Sequence, residues 1–334
     1  MNIRQVQAWR VHTLRTLCVS ALALCICIVA GGAYGQAYPA RPVRLVVPAT
    51  PGGGTDLVAR VLSQKLGETL GQQVVVENRG GASGMIGSEF VARAAPDGHT
   101  LLLAYTSHVT NPGLYLKMPY DTVADFAPIS LIGLTPSILV VHPSLPVRTV
   151  KELIALARRR PAQLNYSSAG SGSASHLAAE LFASQAGIGL VQVPYKGTAP
   201  ALNDAIAGQV SLMFGVVGPT LPHVKSERLR GLAVTSLGRS TLAPYLPTIS
   251  EAALPGYESS AWFALLAPAR TPEAVINRLN TEVVRILKLP DVEERLASQA
   301  IELQPGTPAE LGLRVQSEIA KWRKVIQSAG VTAE

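Results

Sequence analysis

Cysteine is nearly absent from this chain. Only three of the 334 residues are cysteines, and all of them lie before residue 28. The rest of the chain therefore has no thiol for a disulfide, for nucleophilic catalysis or for a thiolate metal site. Aromatic residues are also few, at 5% of the chain. Hydrophobic residues make up 48% of the chain, which is enough for an ordinary packed core. The three cysteines are Cys18, Cys25 and Cys27.

Acidic residues are missing from the first 37 residues. Three arginines precede a mostly apolar run over residues 17–30, and small residues follow that run. A basic start, an apolar stretch and small residues, in this order, are typical of a cleavable secretory signal peptide. We therefore predict a signal peptide at residues 1–37, with cleavage near Gly35 or Ala37, and a periplasmic location. An uncleaved membrane anchor is the alternative interpretation of the apolar run.

Runs of like charge are also scarce. The formal net charge is +7, and the predicted signal peptide carries three of the basic residues, which leaves +4 for the rest. The one basic run, at residues 158–160, ends a predicted helix, where cations suit the helix dipole. This pattern does not predict nucleic-acid binding. No second apolar run approaches the ~18–20 residues of a membrane-spanning helix.

Common catalytic and cofactor motifs are missing as well. The chain has no G-x-G-x-x-G, no P-loop, no G-x-S-x-G elbow and no H-E-x-x-H. The histidines after residue 37 show no metal-ligand spacing. We therefore expect no cofactor, no metal and no enzyme activity. The catalytic alternative is a secreted serine hydrolase that would use Ser173 or Ser175 with His176.

What the chain does contain is an alternation of strand and helix patterns. Strands predicted at residues 43–47, 73–77 and 100–105 alternate with helices, which indicates βαβ units and largely parallel sheets. A second block of the same kind begins near Pro143, and a third begins near Trp262. The last 65 residues are mostly helical, so they must pack on a sheet that an earlier block supplies. We infer two domains, with a chain that leaves the first, builds the second and returns.

Three loops follow predicted strands and precede predicted helices. They cover residues 51–56, 168–175 and 195–198. Ligands of open α/β sheets bind at the carboxyl ends of strands, so all three loops are in a favoured place. Two of them are rich in glycine, which exposes backbone N–H groups at a helix N-terminus to an anion. A tight turn followed by an N-cap is the structural alternative for each loop taken alone.

Eight short motifs together resemble one family. The chain is similar, over nearly all of the predicted mature protein, to the solute-binding receptors of tripartite tricarboxylate transporters, the Bug family. The motifs are residues 48–56 (PATPGGGTD), 76–81 (VENRGG), 96–98 (PDG), 168–177 (SAGSGSASHL), 193–197 (VPYKG), 231–236 (GLAVTS), 255–257 (PGY) and 262–268 (WFALLAP).

The resemblance implies a type II periplasmic-binding-protein fold of class α/β. Two lobes, each a mostly parallel sheet flanked by helices, would be joined by two crossing strands and close on a ligand. Residues 38–137 plus 263–334 would form lobe one, and residues 138–262 lobe two. The implied function is capture of a small organic acid, which a monomeric receptor delivers to the permease subunits of a membrane transporter. A ligand sensor for a signalling partner is the alternative on the same fold.

The resemblance also implies a set of ligand-binding residues in the cleft. The first glycine loop would hold a ligand carboxylate together with the serine- and glycine-rich loop of lobe two, partly through ordered water. Other residues would line the remaining walls of the cleft. The implied binding residues are Pro51, Gly52, Gly53, Thr55, Asp56, Thr106, Ser107, Ser168, Gly170, Ser171, His176, Tyr195, Lys196 and Gly215.

Three positions depart from the family pattern. The family commonly has an acidic residue where Ser211 stands and often another where Gly215 stands. We expect Gly215 to follow a strand and face the cleft, so that the missing carboxylate would disfavour ligands with an ammonium group. A plain organic acid is therefore favoured over an amino acid. Gly80 stands where proline is usual, and we expect it only to loosen its loop.

Overall fold

The computed structural model describes residues 38–332, so the predicted signal peptide lies outside the described residues. Within this range, none of the helices combines the length and the apolar character that crossing a membrane requires. The described residues form eleven strands, which are β1 (Val43–Val47), β2 (Val74–Asn78), β3 (Thr100–Tyr105), β4 (Phe126–Thr135), β5 (Ser137–Val141), β6 (Asn165–Ser168), β7 (Val191–Pro194), β8 (Leu212–Val216), β9 (Arg230–Val234), β10 (Ala261–Pro268) and β11 (Glu302–Leu303).

Helices separate most of these strands. A 3₁₀ turn at Ala82–Gly84 precedes the second α-helix. The α-helices between Tyr38 and Thr332 are α1 (Gly54–Leu70), α2 (Met85–Ala92), α3 (Ser107–Leu114), α4 (Val150–Arg159), α5 (Ala174–Ala186), α6 (Thr198–Ile206), α7 (Val217–Lys225), α8 (Ile249–Ala252), α9 (Glu273–Ile286), α10 (Pro290–Ala297) and α11 (Pro308–Ser328).

The strands form two sheets. The first sheet has the order β11-β4-β10-β3-β1-β2, and the second has the order β7-β6-β8-β5-β9. In each sheet the βαβ units supply parallel pairs, β1 with β2 and β3, and β6 with β7 and β8. Strands β4, β5, β9 and β10 pair antiparallel to their neighbours. The α/β class and the two helix-flanked sheets are confirmed, although the strands outside the βαβ units make both sheets mixed.

The chain passes from the first sheet to the second through one residue. Strand β4 ends at Thr135 and β5 begins at Ser137, with Pro136 between them. The sequence patterns did not predict these two strands. All of β5 and most of β4 are buried, and a continuous apolar run carries no period-two signal for a strand. The chain returns to the first sheet through β10, which pairs with both β3 and β4.

The helices that follow β10 pack on the first sheet, as expected. Helices α9 and α11 both contact β4. Helix α11 begins with a capping box, in which the Thr307 hydroxyl accepts from the Glu310 N–H and the Glu310 carboxylate accepts from the Thr307 N–H. Strands β1 to β4, β10 and β11 form the first sheet, and β5 to β9 form the second. The lobe boundaries at residues 137/138 and 262/263 stay a prediction.

Candidate functional site

The first glycine loop connects β1 to α1 and is open to solvent. Residues 51–54 are exposed, and the backbone at Gly52 has a φ of +88°, a left-handed value that favours glycine. A Cβ placed on Gly52 or Gly53 would meet no other atom within 4 Å. The first N–H groups of a helix have no partner within the helix, so this loop presents donors beside open space.

Asp56 is turned towards its own loop and is buried. Its Oδ2 accepts from the backbone N–H of Gly52 at 3.0 Å and from Nε of Arg60 at 2.9 Å, and its Oδ1 accepts from Nδ2 of Asn78 at 3.0 Å. The hydrogen bond from Arg60, followed by those from Gly52 and Asn78, lowers the pKa of Asp56 to about 2 despite its burial. The ionised carboxylate therefore holds the loop in place.

The second glycine loop connects β6 to α5 and is held in the same way. The backbone at Gly172 has a φ of +72°, and its N–H donates to Nδ1 of His176 at 2.9 Å. Ser173 is the N-cap of α5, and its hydroxyl accepts from the His176 N–H at 3.3 Å. Ser171 remains exposed at the tip of the loop. In both glycine loops, then, a first-turn side chain accepts the N–H of the residue four positions earlier.

His176 is buried, and its geometry shows no pairing with a serine. Because Nδ1 accepts from Gly172, the neutral ring carries its proton on Nε2, which lies 3.8 Å from Oε1 of Glu180. Burial lowers the pKa of His176, and the negative charge of Glu180 opposes that shift in part. The Ser173 and Ser175 hydroxyls contact each other at 3.2 Å. The ring nitrogens therefore lack the serine contact that the hydrolase alternative requires.

A cavity of about 460 Å³ lies between the second glycine loop and residues of the first block. It brings together four of the predicted site residues, from the loops that follow β6 and β7. The first glycine loop is not among the residues that line it. The cavity walls contain one cation, Lys196, and no acidic residue. The lining residues are Ser83, Leu114, Tyr115, Gly170, Ser171, Gly172, Pro194, Tyr195, Lys196 and Thr332.

Tyr195 and Ser168 support this wall with polar groups that point to the protein. The Tyr195 hydroxyl donates to Oδ2 of Asp204 at 2.6 Å, and this bond raises the pKa of Tyr195 to about 12. The Ser168 hydroxyl is fully buried and accepts from Nε2 of Gln192 at 2.8 Å. The Tyr195 N–H also donates to the Ser168 carbonyl, at 2.9 Å. Tyr195 therefore lines the cavity while its hydroxyl is already engaged, and Ser168 holds two loops together.

Thr106 and Ser107 mark the start of α3, after β3. The Thr106 hydroxyl accepts from the backbone N–H of Trp262 at 3.1 Å, which ties this helix start to the returning strand β10. Ser107 is half-buried. Neither residue is among those that line the 460 Å³ cavity.

Gly215 does not face the cleft, which corrects the expectation from the sequence. It lies inside β8, opposite Ile138 of β5, and does not follow the strand. A Cβ placed on Gly215 would lie 2.3 Å from Oγ1 of Thr220, a buried side chain of α7. An acidic side chain at this position would meet α7, so the glycine is explained by packing.

Ser211 does not bear on the ligand either. It precedes β8, and its hydroxyl donates to Oδ1 of Asn165 at 2.9 Å. The ligand end of a parallel sheet is at the carboxyl ends of its strands. Five residues of β8 span about 17 Å at ~3.3 Å per residue. Ser211 is therefore at the opposite end of the sheet. The third departure, Gly80, packs tightly, since a Cβ there would lie 3.1 Å from the Thr50 nitrogen.

The sequence patterns missed Ser83, Leu114 and Tyr115 as cavity residues. The hydroxyls of Ser83 and Tyr115 are 2.9 Å apart, and the Ser83 carbonyl accepts from Nδ2 of Asn111 at 3.0 Å. A signal was available for Ser83, because residues 80–84 form a glycine-rich loop directly after β2. Nothing local marks Tyr115, whose contact with Ser83 spans 32 residues of sequence.

The fold and the cavity define a class of protein, which comparisons with known proteins extend. Two α/β sheets joined by crossing segments, with a cavity between loops at strand ends, are the architecture of a periplasmic solute-binding protein. Residues 58–331 match the family described as "Tripartite tricarboxylate transporter family receptor". The chain belongs to this family of solute-binding receptors.

Individual relatives agree with that assignment. The chain is 37% identical over 318 residues to the protein BugT of Bordetella pertussis, covering 95% of this chain and 98% of BugT. It is 40% identical to the solved structure titled "R. palustris Rpa4515 with adipate", with a TM-score of 0.70, covering 88% of this chain and 99% of the other. It is 33% identical to MatC of Rhodopseudomonas palustris with bound malate, with a TM-score of 0.67 and coverages of 86% and 100%.

Proposed function

We propose that this protein captures a small carboxylate-bearing solute between its two glycine loops and delivers it to the permease subunits of a tripartite tricarboxylate-type transporter. The observation that carries the proposal is the matched construction of the loops. Each uses one first-turn side chain, Asp56 or His176, to fix a glycine N–H, and each has exposed residues at its tip, residues 51–54 in the first loop and Ser171 in the second. Preorganised N–H donors at two helix starts suit an anionic group.

The electrostatics of the cavity support an organic acid over an amino acid. Its lining has one cation, Lys196, and no acidic side chain that could pair with an ammonium group. Carboxylates close to the loops already have hydrogen-bond donors, since Asp56 accepts three hydrogen bonds, Asp204 accepts one from Tyr195 and Glu180 accepts one from Tyr166. The preference for an organic acid therefore rests on the residues that line the cavity. It does not rest on Gly215 or Ser211, because neither residue lines the cavity.

The bound ligands of two relatives support the same class. One related structure is titled with adipate and the other with bound malate, and both compounds are dicarboxylates. A second carboxylate of such a ligand would be attracted to the exposed ammonium group of Lys196. We extend the proposal to a ligand with two acidic groups, one at the glycine loops and one at Lys196.

The remaining parts of the proposal concern the whole receptor. Lobe one (residues 38–137 plus 263–334) and lobe two (residues 138–262) would close on the ligand, and the transporter would recognise the closed form. The protein would act as a monomer in the periplasm, after removal of residues 1–37. A ligand sensor for a signalling partner would use the same ligand site. It would differ from a transport receptor only in the membrane protein that it contacts.

A thermal-shift screen followed by calorimetry tests the ligand class. The panel contains adipate, malate, their diamides and two amino acids. A ligand at 100 times its dissociation constant adds about 2.7 kcal/mol to the free energy of unfolding, so an acid that binds raises the melting temperature clearly. We expect shifts with one or more diacids and none with the matching diamides. Equal binding of the diamides, or binding of amino acids alone, would contradict the proposal.

A pair of lysine variants tests the role of Lys196. Lys196→Gln should weaken binding of a diacid about tenfold, because a hydrogen bond to a charged group is lost, and should leave the melting temperature of the free protein unchanged. Lys151→Gln is the matched control, since Lys151 is exposed on α4 and does not line the cavity. If both variants bind as the parent does, the second acidic group lies elsewhere.

A further inference from the structure

Two hydroxyl groups contact each other in the 460 Å³ cavity. The hydroxyl oxygens of Ser83 and Tyr115 are 2.9 Å apart, and both residues line the cavity. Ser83 is exposed and Tyr115 is half-buried, so the pair is open to solvent. Ser83 follows β2 of the first sheet and Tyr115 follows α3, whereas Lys196 follows β7 of the second sheet. The cavity thus receives a cation from one block of the fold and a hydroxyl pair from the other.

A hydrogen bond between two hydroxyls leaves part of their bonding capacity unused. Each hydroxyl has one proton and two acceptor lone pairs. Within residues 38–332, Ser83 and Tyr115 have only each other as hydroxyl partners, so one proton lies between the oxygens and the second is free. Whichever residue donates, the pair offers a donor and acceptor sites side by side. An alcohol can bond to both kinds of group, whereas a carboxylate can use only the donor.

The loop around Ser83 is fixed before any ligand arrives. The backbone at Ala82 and Ser83 has φ values of +47° and +53°, which are uncommon for residues other than glycine. Nδ2 of the buried Asn111 donates to the Ser83 carbonyl at 3.0 Å, and a Cβ on Gly84 would lie 3.0 Å from the Pro48 carbonyl oxygen. Such a backbone persists where its surroundings hold it. The Ser83 hydroxyl therefore needs little ordering to meet a ligand.

We propose that the Ser83–Tyr115 pair recognises a hydroxyl group on the ligand, so that the receptor prefers a hydroxylated dicarboxylate to the same diacid without the hydroxyl. The inference rests on the proposed function, in which the glycine loops and Lys196 hold the two carboxylates. The cavity volume of about 460 Å³ is in the range of small-molecule sites, roughly 300–1,000 Å³. A site built to bond a hydroxyl discriminates against the analogue that lacks it, because its own polar groups are then left unpaired.

Calorimetric titration of the mature protein with malate and with succinate tests the proposal. The two ligands share a four-carbon chain with two carboxylates and differ only in the hydroxyl. We expect malate to bind about tenfold more tightly, as one or two neutral hydrogen bonds would give. Adipate and 3-hydroxyadipate provide the same comparison if the site requires a longer chain. A crystal structure of the complex should place the ligand hydroxyl at hydrogen-bond distance from Ser83 or Tyr115.

Three variants separate recognition of the hydroxyl from a structural role. Tyr115→Phe keeps the ring, and it should weaken binding of the hydroxylated diacid about tenfold and leave that of the plain diacid unchanged. Ser83→Ala should act in the same direction, and it should fold because Ala82 already has the same left-handed backbone. Tyr245→Phe is the matched control, since Tyr245 is exposed and does not line the cavity. It should keep the parent's preference.

Three results would overturn this inference and leave the proposed function intact. The first is equal binding of the hydroxylated and the plain diacid by the parent protein. The second is a preference that both Tyr115→Phe and Ser83→Ala retain. The third is an equal loss of both affinities in these variants, which would make the pair a support of the cavity wall. Failure of every diacid to bind would instead overturn the proposed function, and this inference with it.

Discussion

Asp56 and His176 perform the same task in two loops with different chemistry. Each accepts the N–H of a glycine four residues earlier, at 3.0 and 2.9 Å respectively. Asp56 is an ionised carboxylate with two further donors, whereas His176 is a neutral ring in a buried position. Both residues were predicted to contact the ligand, and the ligand contacts themselves stay a prediction. Their observed partners make them positioning residues for the loop backbone.

Replacement of Asp56 by asparagine should lower stability and ligand affinity together. An amide has one acceptor oxygen and directs its own donors at Arg60 or Asn78, so at least one of three hydrogen bonds is lost. We expect Asp56→Asn to reduce the free energy of unfolding by about 1–3 kcal/mol, measured by urea unfolding. Weaker ligand binding with unchanged stability would show instead that Asp56 acts on the ligand directly.

The same carboxylate should make the protein sensitive to strong acid. The pKa of Asp56 is lowered to about 2 in the folded protein from 3.8, so its contribution to stability is present above pH 4. That contribution is lost as the pH falls from about 4 to 2, because the unfolded state takes up the proton first. Its size is about 1–2 kcal/mol, after allowance for the exposed Arg60 partner. Asp56→Asn should flatten this part of a stability profile, and an unchanged profile would contradict the assignment.

His108 should produce a separate loss of stability at milder pH. Burial lowers its pKa to about 4 from 6.5, so the unfolded state binds the proton more readily between these values. Stability should be full above pH 6.5 and fall by about 3 kcal/mol towards pH 4. His108→Leu should remove this slope, because leucine does not titrate. His223→Leu, on α7, is the control, and a slope that survives His108→Leu would contradict the prediction.

At the scale of elements, the contact between β8 and α7 explains why residue 215 is a glycine. The sequence analysis predicted Gly215 to be a ligand-binding residue. Gly215 leaves room for Thr220, and no side chain fits between the strand and the helix. Gly215→Ala should destabilise the protein by about 1–3 kcal/mol through overpacking, seen as a lower urea midpoint.

A double variant checks the cause. Thr220→Ala removes the atom that lies 2.3 Å from the added Cβ, so the pair Gly215→Ala and Thr220→Ala should recover most of the loss. Gly238→Ala, where a Cβ would meet nothing within 4 Å, should change stability by less than about 0.5 kcal/mol. Additive losses in the double variant would show that Gly215 is needed for another reason.

Helix α11 connects parts of the molecule that the sheets separate. It contacts β4 of the first sheet and also α5, which follows β6 of the second sheet. Nη2 of Arg314 bonds to Oε1 of Glu258 at 2.6 Å, and Nζ of Lys321 donates to the Glu258 carbonyl at 3.2 Å. Glu258 lies on the segment by which the chain returns to β10. The helix is therefore tied to one of the two connections about which the lobes would close.

At the scale of the whole molecule, closure should be visible by solution scattering. A compact chain of residues 38–334 has a radius of gyration of about 19 Å, and a saturating diacid should reduce the measured value. Glu258→Gln should weaken the tie to Arg314, lower stability by about 1–3 kcal/mol and increase the radius of the free protein. No change in radius on ligand binding would contradict the two-lobe closure.

The sequence by itself determined the local elements and the family. Strands β1 and β3 were predicted with the bounds that the structure shows, because short apolar runs between turn residues define them. The capping box of Thr307 and Glu310 was likewise predictable, since its residues are three positions apart. The glycine loops were recognised from composition, and the motifs that surround them indicated the receptor family. All of these signals lie within a few residues of one another.

Only the tertiary structure decided where side chains point and which distant residues meet. Asp56 turns inward because Asn78, 22 residues away, and Arg60 converge on it. A glycine is required at position 215 because helix α7 packs against strand β8. Ser83 contacts Tyr115 because β3 and α3, which lie between them in the chain, bring the two residues together. Such contacts depend on packing between elements, and packing leaves no periodic pattern in the chain. Local hydrogen bonding and hydrophobic spacing therefore indicated the kind of protein, whereas long-range packing determined how its cavities are lined.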